Sequence, residues 1–438
     1  MFLRIFFLII ILMVSFGVDP SCAQDAQEEL ATTPEISQPI PNRYIVKFKD
    51  SSADTSEIIN RFEKKHGIKS LNNFKSIIMG ASVDIAPEKL KELLDDSDVE
   101  TVVQDFTVSA LAKPLSSSPP IINGIMSLGM TSPPPQVIPT GIKWIGANLN
   151  ATNEGMGATV AVLDTGIDFF HPDLMVNTSL SKDFSGDNTG GNDNNRSIKG
   201  HGTHVAGVIA ALNNNVGVLG TGTEIELVSV KVLNGSGSGS FSSVIAGLDY
   251  VTSIANIIGI ANLSLGATGG TNPSQGFLDV SMLFQEAVQR AVNAGVIVVV
   301  AAGNDGKDVT AYNSIPAMYP EVVSVSALDD RDGNQGNDAW AYFSNYGTEV
   351  DIIAPGVNIL STAIGGGTSS LSGTSFSAPH VAGTLGLYIA KNGRPSNGDA
   401  RLLSSIISSI SQSRSPLSGE PADGFTEPSC FANGSSLK

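Results

Sequence analysis

Short apolar runs alternate with longer amphipathic stretches over the last two thirds of the chain. Apolar runs without polar interruptions predict strands that are buried on both faces of a parallel sheet. The clearest of these predicted strands are 159–163, 227–233, 261–265, 296–302, 322–327 and 350–354. Stretches with helical periodicity, such as 242–256 and 277–293, lie between them. The alternation predicts a doubly wound α/β domain over residues 136–410, with a site at the carboxyl ends of its strands.

A smaller pattern precedes this domain. It predicts, in order, a strand at 43–49, a helix at 56–66, strands within 68–85, a helix at 87–95 and a strand at 99–104. This is a β-α-β-β-α-β arrangement, which recurs as a compact supersecondary unit. We therefore predict a separate α+β domain over residues 42–111.

The ends and junctions of the chain have their own signals. Residues 1–23 combine a basic residue, an apolar run and a small-residue end, which predict a secretory signal peptide. An uncleaved signal that holds the protein at the cell surface is the alternative, although the run is short for a spanning helix. Two polar, proline-containing segments are predicted linkers, namely 24–41 and 112–135. Residues 411–438 are poorly patterned and are predicted as a tail of uncertain structure.

Composition narrows the classes of function. The 438 residues include 25 Lys+Arg and 42 Asp+Glu, for a net charge of −17, and only 2 Cys. A chain of this sign without a basic patch repels phosphate, which disfavours binding to nucleic acid. Two cysteines exclude a scaffold stapled by disulfides. Removal of a signal peptide would take Cys22 away, and Cys430 would then be a free thiol, an intermolecular bridge or a small buried residue.

Three segments carry candidate catalytic chemistry. A predicted strand ends in Asp164, His201 stands between glycines before an apolar helix, and Ser375 follows a glycine turn into another helix. A serine nucleophile needs a base beside it, and that base needs a carboxylate to fix its tautomer. We therefore assign Asp164 as the orienting acid, His201 as general base and acid, and Ser375 as the nucleophile. Asn304, beside a glycine after a buried strand, is the predicted oxyanion donor together with the Ser375 N–H.

The same motifs are also compatible with two other classes of protein, and the other histidines have roles of their own. The triplet Asp164-Thr165-Gly166 also suits half of an aspartic protease, but that class needs a second such triplet, and none occurs. A secreted binding protein without catalysis is the other alternative. We expect His204 and His380 to be packing residues rather than zinc ligands, and we predict His66 at the surface of the smaller domain, although a pH-sensing role is conceivable.

These motifs resemble those of the subtilisin-like serine proteases (subtilases), in which Asp, His and Ser follow one another in this order. The resemblance implies a three-layer α/β/α domain with a mainly parallel sheet and a secreted, monomeric endopeptidase that forms an acyl-enzyme on polypeptide substrates. The smaller domain resembles the family's inhibitory propeptide, which implies a self-processing zymogen whose propeptide inhibits the enzyme and assists its folding. Matching the family places the cut near Leu111-Ala112, with any point up to Gln136 left open.

The resemblance also implies a substrate cleft in which edge strands pair with the peptide backbone. The implied strand residues are Gly237, Ser238 and Gly239 on one side and Ser264, Leu265 and Gly266 on the other. Phe241 is implied at the pocket for the fourth residue before the cut. Ala302, Gly303 and Ser314 are implied at the pocket for the first. No strong charge lies at these positions except Asp305 at the rim, which favours a broad preference for apolar or aromatic side chains.

No catalytic cofactor is implied, but structural calcium is. Carboxylate, amide and carbonyl oxygens are the ligands that calcium prefers. The implied ligands are Gln136, Asp173, Leu212, Asn214, Val216 and Val218. A weaker cation site is implied at the carbonyls of Ala317, Tyr319 and Val322 with Asp351 or, as the alternative, Glu349. The acidic loop that contains Asp183, Asp187 and Asp193 is expected to be a solvated loop rather than a further site.

Overall fold

The computed structural model describes residues 36–49, 54–112, 135–150, 152–395, 400–434 and 437. The predicted signal peptide and most of both predicted linkers lie outside these residues. Within them, no helix is long and apolar enough to cross a membrane.

The smaller domain has the predicted order of elements. Its strands are β1 (Pro39–Phe48), β2 (Ser70–Phe74), β3 (Gly80–Asp84) and β4 (Val99–Ala110), and its helices are α1 (Thr55–His66) and α2 (Leu90–Leu94). The strands form an antiparallel sheet in the order β2-β3-β1-β4. Helix α1 begins where Asp54 accepts the N–H of Ser56, and it ends at Gly67, whose φ of 63° suits glycine.

His66 does not lie at the surface, so that prediction was wrong. The side chain is buried because α1 packs beside the turn that follows α2. Nδ1 lies 3.0 Å from Glu92 Oε1, and Nε2 lies 2.6 Å from Asp96 Oδ2. Burial alone would raise the pKa of Asp96, but hydrogen bonds from His66, a backbone N–H and Lys65 lower it to about 2. His66 is therefore a buried link between two elements of the small domain.

The larger domain contains the remaining elements. Its strands are β5 (Thr159–Asp164), β6 (Lys182–Asp183), β7 (Glu226–Lys231), β8 (Ser238–Ser240), β9 (Ile260–Leu263), β10 (Leu265–Thr268), β11 (Ile297–Ala301), β12 (Ser314–Ile315), β13 (Val323–Asp329), β14 (Ala339–Trp340), β15 (Ile352–Pro355), β16 (Ile359–Ala363), β17 (Gly367–Leu371), β18 (Ser411–Gln412) and β19 (Ser429–Cys430). Its helices are α3 (Thr140–Trp144), α4 (His201–Ala210), α5 (Phe241–Ser253), α6 (Gln275–Asn293), α7 (Thr374–Asn392) and α8 (Ala400–Ser409).

A parallel sheet forms the middle layer of this domain. The strand order is β6-β7-β5-β9-β11-β13-β15, and each neighbouring pair runs parallel. Alternate residues of β5 serve different cores: Val160 and Val162 pack with α4 and α7, whereas Ala161 and Leu163 pack with α5 and α6. The fold is therefore the expected α/β/α sandwich, because strands buried on both faces need a helical layer on each.

Residues beyond 410, left open by the sequence, are attached to this sheet. Strand β19 pairs parallel to β15 at Ile353–Ser429, and β18 pairs antiparallel to β19. The N–H of Ala432 donates to the carbonyl of Ile145 at 2.7 Å. Cys430 lies inside this packing, where burial raises the pKa of its thiol to about 12. Of the three roles considered for Cys430, the structure places it as a small buried residue.

Gly207 allows α4 to lie against β16. A Cβ at this position would overlap the hydroxyls of Ser361 and Thr362. Both hydroxyls are fixed, because they donate to the carbonyls of His204 and Thr203 at 2.7 Å. The hydroxyls therefore cannot move aside without losing hydrogen bonds to the helix.

We predict that Gly207→Ala lowers the free energy of unfolding by about 1–3 kcal/mol, because the added methyl overpacks this contact. The measurement is the thermal unfolding midpoint in a Ser375→Ala background, which prevents self-digestion. Gly276→Ala in α6 is the matched control, since its Cβ meets nothing closer than 3.5 Å. An equal midpoint for both variants would refute the packing argument.

Candidate active site

Three assigned side chains meet at the carboxyl edge of the sheet. Asp164 is the last residue of β5, His201 is the first of α4, and Ser375 lies in the first turn of α7. His201 Nδ1 lies 2.8 Å from Asp164 Oδ1 and 3.0 Å from Oδ2. All three side chains are fully buried. A carboxylate in this position fixes the Nδ1–H tautomer and leaves Nε2 to accept a proton.

Gly202 lets the helix that carries His201 approach the strand that carries Asp164. A Cβ on Gly202 would overlap the carbonyl oxygen of Gly166 and would lie 3.1 Å from Asp164 Oδ1. In its place, the Gly202 N–H donates to Thr165 Oγ1 at 2.9 Å. The hydrogen bond between Asp164 and His201 therefore depends on glycine at the second residue of α4.

The hydroxyl of Ser375 does not donate to His201 in this structure. It donates to the carbonyl of Ser264 at 2.8 Å, and Ser264 Oγ donates back to the Ser375 carbonyl at 2.7 Å. His201 Nε2 is buried and has no hydrogen-bond partner among the described residues. The Ser375 hydroxyl must turn from Ser264 to His201 before a proton can pass between them.

Asn304 points its amide nitrogen at a peptide carbonyl. Its Oδ1 accepts hydrogen bonds from the N–H and the hydroxyl of Thr374, both at 2.9 Å. Nδ2 is therefore left to donate, and it does so to the carbonyl of Leu111 at 2.7 Å. A Cβ on Gly373 would lie 2.6 Å from the same carbonyl oxygen. The Leu111 carbonyl thus occupies the position predicted for an oxyanion.

The end of β4 lies as an extended peptide between two edge strands. Val108 faces Gly239 of β8, and Gly266 of β10 faces Ser109, with antiparallel pairing on both sides. The Ala110 N–H donates to the Gly237 carbonyl at 2.9 Å. The predicted end of this strand at residue 104 was too early, because residues 107–110 find their partners in the other domain. The six predicted cleft residues are the ones that flank this segment: Gly237, Ser238, Gly239, Ser264, Leu265 and Gly266.

The predicted pocket residues surround the same segment. Ala302, Gly303 and Ser314 line one cavity together with Leu111. Phe241 is fully buried and packs edge-on against Phe284, with ring centres 5.4 Å apart. Phe241 belongs to the same apolar cluster as Val108. If Leu111 is the first residue before the cut, Val108 is the fourth.

Oxygen atoms converge at the predicted calcium ligands. Asp173 Oδ1 is buried without a hydrogen-bond partner, while Oδ2 accepts the Val218 N–H at 2.8 Å. Burial raises the pKa of Asp173 to about 6. Gln136 Nε2 donates to the Leu212 carbonyl at 2.5 Å and to the Val218 carbonyl at 3.0 Å. The Asp173 carboxylate and the Leu212 and Val218 carbonyls are oxygen ligands of the kind that calcium prefers, and Gln136 would join them by turning its Oε1 toward them. The unpartnered Asp173 Oδ1 is the atom that a cation would satisfy.

The remaining predicted ligands are Asn214 and Val216 of that site and the residues of the weaker site. Asn214 Oδ1 accepts the Val216 N–H at 3.0 Å. Asp351 Oδ2 accepts the Ser324 N–H at 2.8 Å, and burial raises the Asp351 pKa to about 7. The other residues of the weaker site, Ala317, Tyr319 and Val322, are buried. They lie within six residues of one another in the sequence. Among the described residues, no three His, Cys, Asp or Glu side chains are grouped to hold a metal.

The remaining histidines and loop acids have structural contacts. His204 Nε2 lies 3.0 Å from the Ser369 carbonyl, and burial lowers its pKa to about 3. His380 Nδ1 lies 2.8 Å from the Phe376 carbonyl, and its pKa is lowered to about 4. Asp193 is buried and accepts the Thr203 hydroxyl at 2.7 Å, so the expectation of a wholly solvated acidic loop was wrong.

The sequence did not single out the acids that join the two domains. Asp249 of α5 accepts the backbone N–H groups of Lys75, Ser76 and Ile77 at 2.5–2.9 Å. Asp105 Oδ2 accepts the Ser242 hydroxyl at 2.6 Å. The sequence offers one signal of this contact, because Asp249 is an acid inside the largely apolar stretch 241–251. That signal does not indicate which groups the acid contacts.

Comparisons with known proteins agree with these observations. Residues 155–413 match the model of the subtilase family, and residues 43–111 match that of the peptidase inhibitor I9. M-protease of Shouchella clausii is 35% identical over 403 residues, which are 89% of each chain. Subtilisin Savinase of Lederbergia lenta is 44% identical over 61% of this chain and 89% of its own. The crystal structure of a cold adapted subtilisin-like serine proteinase is similar with a TM-score of 0.52 and 33% identity, over 67% of this chain and 97% of its own.

We predict that Asp249→Ala speeds hydrogen exchange at the amides of Lys75, Ser76 and Ile77 by about tenfold or more. Hydrogen bonds to a charged acceptor contribute about 1.5–3 kcal/mol, and these amides would lose theirs. The measurement is hydrogen–deuterium exchange of the uncut Ser375→Ala chain. The control is Asp279→Ala in α6, whose carboxylate bonds Gln275 of its own helix. Equal exchange at residues 75–77 in both variants would show that Asp249 does not hold the small domain.

Proposed function

The chain belongs to the subtilase family, and from that membership we propose that it is a secreted endopeptidase whose own propeptide is its first substrate. It is a subtilisin-like serine protease that carries an inhibitor I9 domain ahead of the protease domain. The finer points, namely the residues of the triad, the cut, secretion and substrate preference, are the substance of the proposal. A parallel sheet around Asp164 is incompatible with an aspartic protease, whose two catalytic triplets lie on antiparallel lobes.

One observation carries the proposal. The Leu111 carbonyl accepts a hydrogen bond from Asn304 at 2.7 Å while the residues before it pair with both edge strands. A peptide held this way presents its carbonyl carbon beside Ser375 and its oxygen to the donors of an oxyanion hole. We therefore place the maturation cut between Leu111 and Ala112.

The chemistry follows from the roles of the four residues. His201 Nε2 takes the proton of Ser375 Oγ as that oxygen attacks the substrate carbonyl carbon. The negative charge that forms on the carbonyl oxygen is stabilised by Asn304 Nδ2 and the Ser375 N–H. The tetrahedral intermediate then collapses, the C–N bond breaks, and His201 returns the proton to the leaving amine. Water, deprotonated by the same histidine, attacks the acyl-enzyme carbonyl carbon, the ester C–O bond breaks, and His201 returns the proton to Ser375 Oγ. Asp164 stabilises the imidazolium in both steps.

Substrate preference is proposed to be broad and apolar at the residue before the cut. Leu111 itself fills that position, beside the small residues Ala302, Gly303 and Ser314. These three small, uncharged residues exclude few side chains, so affinity is proposed to come mainly from backbone pairing, while Asp305 and Lys307 also line the cavity. The predicted signal peptide supports secretion, with retention at the cell surface as the alternative.

Calcium is proposed as a structural ion and not as a participant in the reaction. Gln136, Asp173, Leu212, Asn214, Val216 and Val218 would hold it. When bound, it would neutralise the buried Asp173 and tie Gln136 to the loop after α4. A second, weaker cation is proposed at Ala317, Tyr319, Val322 and Asp351.

We predict that the wild-type chain matures by cleavage after Leu111 and that Ser375→Ala abolishes this cleavage. The measurement is N-terminal sequencing of the secreted protein together with labelling by a serine-directed fluorophosphonate. The matched control is Ser377→Ala, two residues along the same helix, which should mature and label normally. If wild type keeps its propeptide and does not label, the chain is a silent binding protein and the proposal is wrong.

Removal of calcium should lower the stability of the mature enzyme. An ion present at about 100 times its dissociation constant contributes about 2.7 kcal/mol, so a chelator should lower the thermal midpoint by the corresponding amount. Asp173→Asn should begin at a lower midpoint and respond little to the chelator, whereas Asp351→Asn should keep most of the response. An unchanged wild-type transition in excess chelator would contradict the Asp173 site.

A further inference from the structure

Asn345 is a fully buried side chain with no assigned role in the reaction. Its Nδ2 donates to the Ala302 carbonyl at 3.0 Å and to Ser314 Oγ at 3.3 Å. Its Oδ1 accepts the N–H groups of Asp305 at 3.0 Å and Lys307 at 3.1 Å. Two donors and two lone pairs are all that a side-chain amide offers, and all four are used.

These partners lie on both sides of Asn304. Ala302 precedes it, Asp305 and Lys307 follow it, and the backbone N–H of Asn345 donates to the Gly303 carbonyl at 3.0 Å. The neighbouring backbone continues the bracing, since the Gly306 N–H donates to the Phe343 carbonyl at 2.8 Å. Asn304 is thus carried on a loop that is tied down at every neighbouring residue.

Gly303 shows how closely the loop fits around this amide. Its φ is 110°, a conformation that favours glycine, and a Cβ there would overlap Asn345 Nδ2. The Ser314 hydroxyl that receives the second donor lines the same cavity as Leu111. One amide therefore connects the oxyanion loop, through Ala302 and Gly303, to the wall and floor of the pocket for the first substrate residue.

We propose that Asn345 is a positioning residue that sets the place of the Asn304 amide relative to the substrate carbonyl. The proposal rests on the proposed role of Asn304 as oxyanion donor. A donor contributes fully only when it is held about 2.7–3.1 Å from the developing oxyanion, and a misplacement of about 1 Å can cost about 100-fold in rate. Asn345 also lines the cavity around Leu111, beside Ala302 and Ser314, so the test has to separate an effect through Asn304 from an effect through the pocket.

A double-mutant cycle between Asn345 and Asn304 tests this on the mature enzyme. The variants are Asn345→Ala, Asn304→Ala and the double variant, assayed on a peptide ending in Ala-Leu before the cut. Active enzyme is counted by fluorophosphonate labelling, so that incomplete maturation does not enter kcat. Asn345→Asp is a second variant of nearly the same shape, which keeps the accepted hydrogen bonds, loses both donors and sets a carboxylate oxygen against the Ala302 carbonyl. Asn153→Ala is the control, because that amide also bonds two carbonyls, those of Leu387 and Leu437, toward the far end of α7.

We expect Asn345→Ala and Asn345→Asp to lower kcat by about 100-fold with little change in KM. In the Asn304→Ala background the same substitutions should lower kcat by about threefold or less, because the group they misplace is already gone. Asn153→Ala should lower the melting temperature and leave kcat within about twofold of wild type.

Two results would overturn the inference in distinguishable ways. In the first, Asn304→Ala lowers kcat, and the Asn345 substitutions lower it by the same factor in the Asn304→Ala background as in wild type. Asn345 then acts by another route, while the proposed function stands. If Asn304→Ala leaves kcat unchanged, the proposed oxyanion donor fails, and the positioning role fails with it.

Discussion

Close approach of backbone to backbone at the carboxyl edge of the sheet is the constraint on which the site depends. The strand end that carries Asp164 and the helix start that carries His201 can meet only because Gly202 leaves room for the Gly166 carbonyl. The turn before Ser375 can receive a peptide carbonyl only because Gly373 has no side chain, since a Cβ would lie 2.6 Å from it. Parallel strands deliver these segments to one edge, and glycine lets them come within hydrogen-bonding distance.

The same constraint explains how one segment can belong to two domains. Strand β4 pairs with β1 in the small domain and then continues between β8 and β10 of the large one. An exposed pair of strand edges is a template for any extended chain, and here the chain's own propeptide occupies it. Asp249 and the Lys47–Glu286 ion pair, at 2.8 Å, hold the small domain beside the cleft from a second direction. The contact between the two domains therefore does not depend on the cleft alone.

Burial of polar groups follows a consistent logic around the site. His201, Asn304 and Asn345 are buried, and each is oriented by a partner that uses up one side of its hydrogen-bonding capacity. Asp164 fixes the tautomer of His201, and Thr374 fixes which end of the Asn304 amide faces the substrate. A buried polar group without such a partner would lower the stability of the fold and would be free to turn. The partners that orient these side chains therefore also stabilise the folded protein.

The sequence by itself predicted most of the elements, the sandwich and the protease family, because these depend on short-range patterns. A strand that ends in Asp164 and a glycine turn before Ser375 are local signals, and their order along the chain is specific. Only the tertiary structure decided that His66 is buried between two carboxylates, that residues 107–110 continue β4, and that residues after 410 join the sheet. It alone paired Asp249 with the amides of residues 75–77 and Asn345 with the loop around Asn304. Each of these contacts joins segments far apart in the chain, and a hydrogen bond across such a distance leaves no periodic trace in the amino-acid sequence.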